Sequence, residues 1–220
     1  MAAMEDVLDL YAEPYDPRRP VVGFDERPLQ LLDDTREPIP VAPGRVRRVD
    51  YEYRRNGTGN VFTSVEPLAG WRHVEVTERR TAVDFAHQMK WLVDEAYPDV
   101  KVVRVVLDNL NIHKIASLYV AFPAPDARRI ARKLEFHLTP KHGSWLNVAE
   151  SELAVLSNQC LNRRLPTLVI VRKEVSAWER QRNADGVKIH WLFTTAHARH
   201  KFRQAYPSRR NQHGRPLAGC

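Results

Sequence analysis

The sequence predicts an α/β domain built on a mixed five-stranded sheet with helices packed over it. Three observations carry this reading. The run KVVRVVL at 101–107 is dense in β-branched valine and reads as a central strand. Two β-rich stretches, 60–66 and 71–78, are separated by Pro67, Leu68, Ala69 and Gly70, a turn signal of the kind that joins hairpin strands. After them, strand-like and helix-like segments alternate. Strands in hairpin order followed by strand–helix–strand–helix give a mixed sheet covered by helices.

Taken in order, residues 1–20 combine a short apolar pattern (Val7, Leu8, Leu10) with Pro14, Pro17 and Pro20, and read as a lead-in rather than a folded unit. VVGFDE follows as a short buried strand ending at Asp25. Pro38, Pro40, Pro43 and Gly44 mark 35–50 as loop. Thr81 caps a helix reaching about Glu95, with Phe85, Met89, Leu92 and Val93 near helical spacing and Pro98 beyond its end. Helices are expected over 115–121 and 126–133, a strand over 134–138, and helices from Ser144 to about Cys160 and over 168–183. The tail past Tyr206 reads as disordered. The chain thus divides into a lead-in over 1–20, a catalytic domain over 21–183 and a basic extension over 184–220.

Composition narrows the function. Hydrophobic residues at 43% and charged residues at 28% are ordinary for a soluble globular chain. No apolar run approaches the roughly 18 residues that span a bilayer, and the acidic N-terminus lacks the pattern of a secretory signal. Membrane partners are therefore not expected. Two cysteines, Cys160 and Cys220, neither make a disulfide framework nor show zinc-ligand spacing, which suits a reducing cytoplasm. From residue 161 onward, 13 Lys and Arg face 3 Asp and Glu, whereas the first 160 residues hold 21 against 24. A near-neutral body with a basic C-terminal quarter suits a polyanion such as DNA, although a solvated tail would look the same. Arg163, Arg164, Arg172, Lys173, Arg180 and Arg182 are the candidates for contact with a DNA backbone.

Three acids could carry chemistry. Asp108 directly follows the valine strand, where ligands bind in open α/β sheets; alone, it could equally begin a turn. Asp25 repeats that position after Val21, Val22 and Phe24, and Glu26 is a rival on the opposite side of the strand. Ser144 reads as the N-cap of the next helix, which places Asn147 and Glu150 on one face in its first two turns. Glu150 alone could simply complement the helix dipole. Together, two strand-end acids and one helix acid supply hard oxygen ligands suited to Mg²⁺ or Mn²⁺, and paired ions there could clamp the oxygens of a phosphoryl displacement. No phosphate-binding loop or GxGxxG motif competes.

The segments VLDNLNIH (106–113), LTPKHGSWLNVAE (138–150) and the stretch from Tyr51 to Phe85 resemble bacterial insertion-sequence transposases of the mariner superfamily, specifically the IS-six-thirty group. The resemblance runs from about Met4 to Tyr206. It implies a ribonuclease H-like fold with Asp25, Asp108 and Glu150 as both catalytic and metal-binding residues, and Asn109, His113, Ser144 and Asn147 supporting them through hydrogen bonds and packing. It also implies DNA transposon ends and target DNA as substrates, a homodimer on DNA, and a bacterial, nucleoid-associated setting. Family members carry an N-terminal helix-turn-helix region. Here it is expected to be lacking and to come from a separately encoded protein or frame. The alternative reading is a non-catalytic DNA-binding remnant that modulates an intact transposase.

Overall fold

The computed structural model describes residues 1–36 and 51–206. The expectations of a loop over most of 35–50 and of a disordered tail past Tyr206 lie outside the described residues. One five-stranded sheet organises the chain. Its strands are β1 (Val21–Asp34), β2 (Tyr53–Glu66), β3 (Trp71–Thr77), β4 (Val103–Leu107) and β5 (Leu134–Leu138). They lie in the order β3–β2–β1–β4–β5. The first three pair antiparallel, whereas β4 runs parallel to both β1 and β5. All five residues of β4 are buried, as its continuous valine-rich run requires of a strand covered on both faces.

β1 is longer than its apolar run indicates. It does not end at Asp25 but continues to Asp34, through Pro28. Pairing with β4 covers only Val21 to Gly23, so beyond that point β2 is the one strand paired with β1 among the described residues, and the Leu32 N–H donates to the Leu165 carbonyl at 3.1 Å. A strand with one open edge tolerates proline, which cannot donate to a ladder. Asp25 therefore sits inside a strand, at the place where its neighbour β4 leaves off.

Seven helices are described: α1 (Ala2–Ala12), α2 (Ala82–Trp91), α3 (Ala116–Ala121), α4 (Ala124–Arg132), α5 (Val148–Leu156), α6 (Leu168–Ala184) and α7 (Thr195–Lys201). α2 starts at a capping box in which Thr81 and Asp84 satisfy each other's backbone N–H groups, and it continues into a π turn over Leu92–Ala96. α2, α3 and α4 cover one face of the sheet, burying Phe85, Met89, Leu118 and Ile130 against Val22, Phe24, Val105 and Leu107. On the other face α5 and α6 bury Leu153, Leu156, Val171 and Val175 against Val61, Val74 and Val76. Among the described residues, no helix is long and apolar enough to cross a membrane.

Residues 1–20 are not merely a lead-in. Met4, Val7, Leu8 and Leu10 of α1 are buried against Val106, Leu146 and Ala198, so α1 and α7 close a third cluster. Met4, Val7 and Leu8 follow the helical i, i+3, i+4 rule, and the prolines fall only after the helix. The Tyr11 hydroxyl accepts a hydrogen bond from the Val148 N–H at 3.1 Å, joining α1 to the start of α5.

Gly23 sets how close α5 comes to β1. A Cβ at this position would stand 2.4 Å from Val148 Cγ1, 3.1 Å from the Ala149 nitrogen and 3.2 Å from Asn147 Oδ1. Two of these three atoms cannot swing aside without moving the helix start. Gly23→Ala is expected to lower stability by about 1–3 kcal/mol through overpacking. Urea denaturation measures this; a loss within experimental error would mean that α5 shifts without resistance.

Candidate active site

Side chains alternate along a strand, so Asp25 shares its face of β1 with Gly23, the face that α5 covers. Its carboxylate accepts the Glu26 N–H at 2.8 Å. Burial pushes the Asp25 carboxyl up to about 7; the Glu26 N–H bond opposes this, and the negative charges of Glu26, Asp108 and Glu150 add to it. Asp108 and Glu150 thus act on Asp25 through a common field, although 83 and 125 residues separate them from it in the chain.

Asp108 is the first residue past β4. Its Oδ1 accepts the Leu110 N–H at 3.0 Å, closing an Asx turn, and the His113 Nδ1–H at 2.6 Å. The His113 hydrogen bond holds this carboxyl below its usual range, against the opposing effect of burial. The His113 ring is buried between Phe24 and Phe85, with centroid separations of 5.7 and 5.0 Å. Its other nitrogen, Nε2, lies 2.9 Å from Glu26 Oε2. Burial alone would lower the His113 pKa, but hydrogen bonds to Asp108 and Glu26 outweigh it and raise the pKa to about 9. With a carboxylate on each side, both ring nitrogens donate.

Glu150 lies in the first turn of α5, partly exposed. The N-cap of this helix is Asn147, not Ser144: Asn147 Oδ1 accepts the Ala149 N–H at 3.1 Å. Ser144 instead opens a 3₁₀ turn over Ser144–Leu146, and its carbonyl accepts the Asn147 N–H at 2.7 Å. The register moves because a 3₁₀ turn advances the chain before the α-helix begins. Asn147 Nδ2 also donates to the Phe24 carbonyl at 2.8 Å. One buried amide therefore caps the helix of Glu150 and ties it to the residue before Asp25. Asn109 Nδ2 donates to the Thr139 carbonyl at 2.7 Å, fastening the turn after β4 to the chain leaving β5.

As they stand, no three His, Cys, Asp or Glu side chains among the described residues are gathered closely enough to hold a metal ion. The donor chemistry still fits a hard divalent cation. Three carboxylates from three elements share one field, and one of them is driven toward neutrality partly by the other two.

The basic candidates divide. Arg182 is committed to the protein, with Nε 2.7 Å from Glu152 Oε1. Arg163 pairs with Glu174 and Arg164 with Asp34. Arg172 Nε donates to the Val76 carbonyl at 3.1 Å, and Arg180 Nη1 to Ser176 Oγ at 2.8 Å. Lys173 is exposed. Sequence reasoning missed the partnership of Glu26 with His113. The only signal for it was a second acid next to Asp25 on the core-facing side of the strand.

Residues 20–172 match the family described as DDE superfamily endonuclease. Among solved structures, the Mos1 mariner paired-end complex with Mn aligns over 84% of this chain and 58% of its own, at 16% identity and a TM-score of 0.52. The Mos1 strand transfer complex aligns over 84% of this chain and 55% of its own, at 15% identity and a TM-score of 0.57. The chain thus spans somewhat more than half the length of these structures, and the likeness identifies the mixed sheet as a ribonuclease H-like fold. No curated protein matches the sequence. The family match covers most of the chain and includes β1, β4 and the start of α5, which bring Asp25, Asp108 and Glu150. The chain belongs to the DDE superfamily endonucleases.

Proposed function

We propose that this chain is the catalytic domain of a cut-and-paste DNA transposase of the IS-six-thirty group, which hydrolyses a phosphodiester at a transposon end and joins the freed 3′-hydroxyl to target DNA. The observation that carries the reading is the shared field of Asp25, Asp108 and Glu150. Bound by these three, Mg²⁺ or Mn²⁺ would neutralise the carboxylates and stabilise charge on the transferring phosphate. The chain's own residues set the ligands. His113 holds one oxygen of Asp108, Asn147 pins the helix of Glu150 beside β1, and Gly23 lets that helix approach. Both Mos1 structures support the reading: one is a paired-end complex with Mn and the other a strand transfer complex. End recognition by a helix-turn-helix region and action as a homodimer on DNA belong to the same proposal.

The test is strand nicking of DNA carrying the element's ends. Nicking is expected to require Mg²⁺ or Mn²⁺ and to fall at least 10³-fold in Asp108→Ala, as when a group acting on the transition state is removed. Salt-sensitive DNA binding without metal-dependent nicking, identical in wild type and Asp108→Ala, would overturn the proposal in favour of a non-catalytic remnant.

A further inference from the structure

Glu26 presents an unexplained cost. Its side chain is 2% exposed, on the face of β1 opposite Asp25, beside the aromatic rings that enclose His113. A carboxylate there gives up its hydration, a penalty that an apolar residue of similar volume would avoid. Two groups face it: His113 Nε2 at 2.9 Å and Arg80 Nη1 at 3.4 Å. The Arg80 contact is long and its side chain is 38% exposed. The His113 bond is the short, buried one.

What lies beyond His113 gives that bond a purpose. Asp108 is the first residue after a strand, in a turn, where a carboxylate has rotational freedom. Here its Oδ1 is taken by two N–H donors, Leu110 and His113 Nδ1, while among the described residues Oδ2 accepts no hydrogen bond. Glu26, His113 and Asp108 form one hydrogen-bonded chain from the buried face of β1 to the end of β4.

We propose that Glu26 is a positioning residue for the acidic site: it grips the far nitrogen of the His113 ring, so that the near nitrogen fixes Asp108 with one oxygen occupied and the other turned out to receive a cation. The inference rests on the function proposed above. It adds that a residue touching neither metal nor DNA presets the geometry of a ligand, as partners behind metal ligands do.

The experiment is calorimetric titration of the whole chain with MnCl₂, with circular dichroism and thermal melting as the check on folding. Wild type and Asp108→Ala are the references, and Glu26→Ala, Glu26→Asp and Glu26→Gln are the variants. Glu26→Ala is expected to bind Mn²⁺ about 10- to 100-fold more weakly. Glu26→Gln keeps the shape and an oxygen that accepts the His113 Nε2–H, so it should restore most of the affinity. Glu26→Asp keeps the charge but draws it back by one methylene, and should fall between the two. A stability defect alone would not produce this order in proteins that remain folded, and the Gln and Asp variants carry the test if the Ala variant does not fold. Mn²⁺ affinity unchanged across folded variants would overturn the inference. So would retention by Asp with loss in Gln, since charge and not position would then be the active property. Absence of binding by wild type would overturn the proposed metal site, and this inference with it. Loss in Asp108→Ala alone would leave the site standing and remove only the role of Glu26.

Discussion

Glu152→Leu is expected to destabilise the protein by about 3–5 kcal/mol, the range found when one partner of a buried ion pair is removed. Glu152 and Arg72 are both essentially unexposed, with Nε and Oε1 3.2 Å apart. That separation is an ion pair, although Arg72 Nε has no hydrogen bond in satisfactory geometry. The rest of the guanidinium is held by carbonyls: Nη1 donates to Gly70 and Arg182 at 2.8 and 3.0 Å, and Nη2 to Val187 at 2.8 Å. Burial pushes the Arg72 pKa down, and the charge of Glu152 opposes that shift. Leucine at 152 would fill a similar volume yet leave a buried cation facing carbonyl dipoles alone, and would also release Arg182. Adding Arg72→Met should recover part of the loss, because a buried pair replaced on both sides by apolar groups is often neutral. Urea denaturation of the two single variants and the double variant gives the coupling. Additive losses would mean that the two side chains do not depend on one another.

This cluster shows where sequence reading stops. Glu152 sits in a helix of ordinary composition, and its spacing resembles that of any solvated acid. Only the packing of α5 against β1 and β2 and of α6 against β3 buries it, and that is a long-range fact. Features read correctly were those encoded within a few residues: the valines of β4, the Thr81 cap, and the turn at Pro67 to Gly70. Where reading failed, local signals conflicted with tertiary ones. The polar Glu26, Arg27 and Pro28 masked the continuation of β1, which β2 sustains from the other side. α7 offered only Ala198 as a buried residue and no apolar stripe, and was not foreseen. The three acids could be singled out because each stands at a place where the fold presents side chains. Their mutual field was an inference from adjacent strands, and the link from Glu26 to His113 could not be seen at all, since it joins residues 87 positions apart.

The burial of Asp25 among other carboxylates makes a prediction about pH. Its carboxyl ionises near 7 in the folded protein, against an ordinary value of 3.8. Between roughly pH 4 and 7 the folded state therefore holds a proton that the unfolded state has released, so this group's contribution to stability is complete below about pH 4 and is lost as pH rises through 7. Burial is the main cause, and three carboxylates add to it from three elements: Glu26 on its own strand, Asp108 after β4 and Glu150 on α5. Asp25→Asn removes the charge at nearly constant shape. In metal-free buffer it should stabilise the protein by an amount on the order of 1–4 kcal/mol at pH 8, with the gain vanishing toward pH 4. Melting temperatures of the two proteins across that range measure it. Mn²⁺ should reverse the ranking at pH 8, because a cation that binds only the folded, ionised site adds stability to wild type and little to the Asn variant. If the two melting curves shift in parallel at every pH, with or without Mn²⁺, the Asp25 carboxyl is not raised in the folded protein and holds no cation, and the acids do not act as one site.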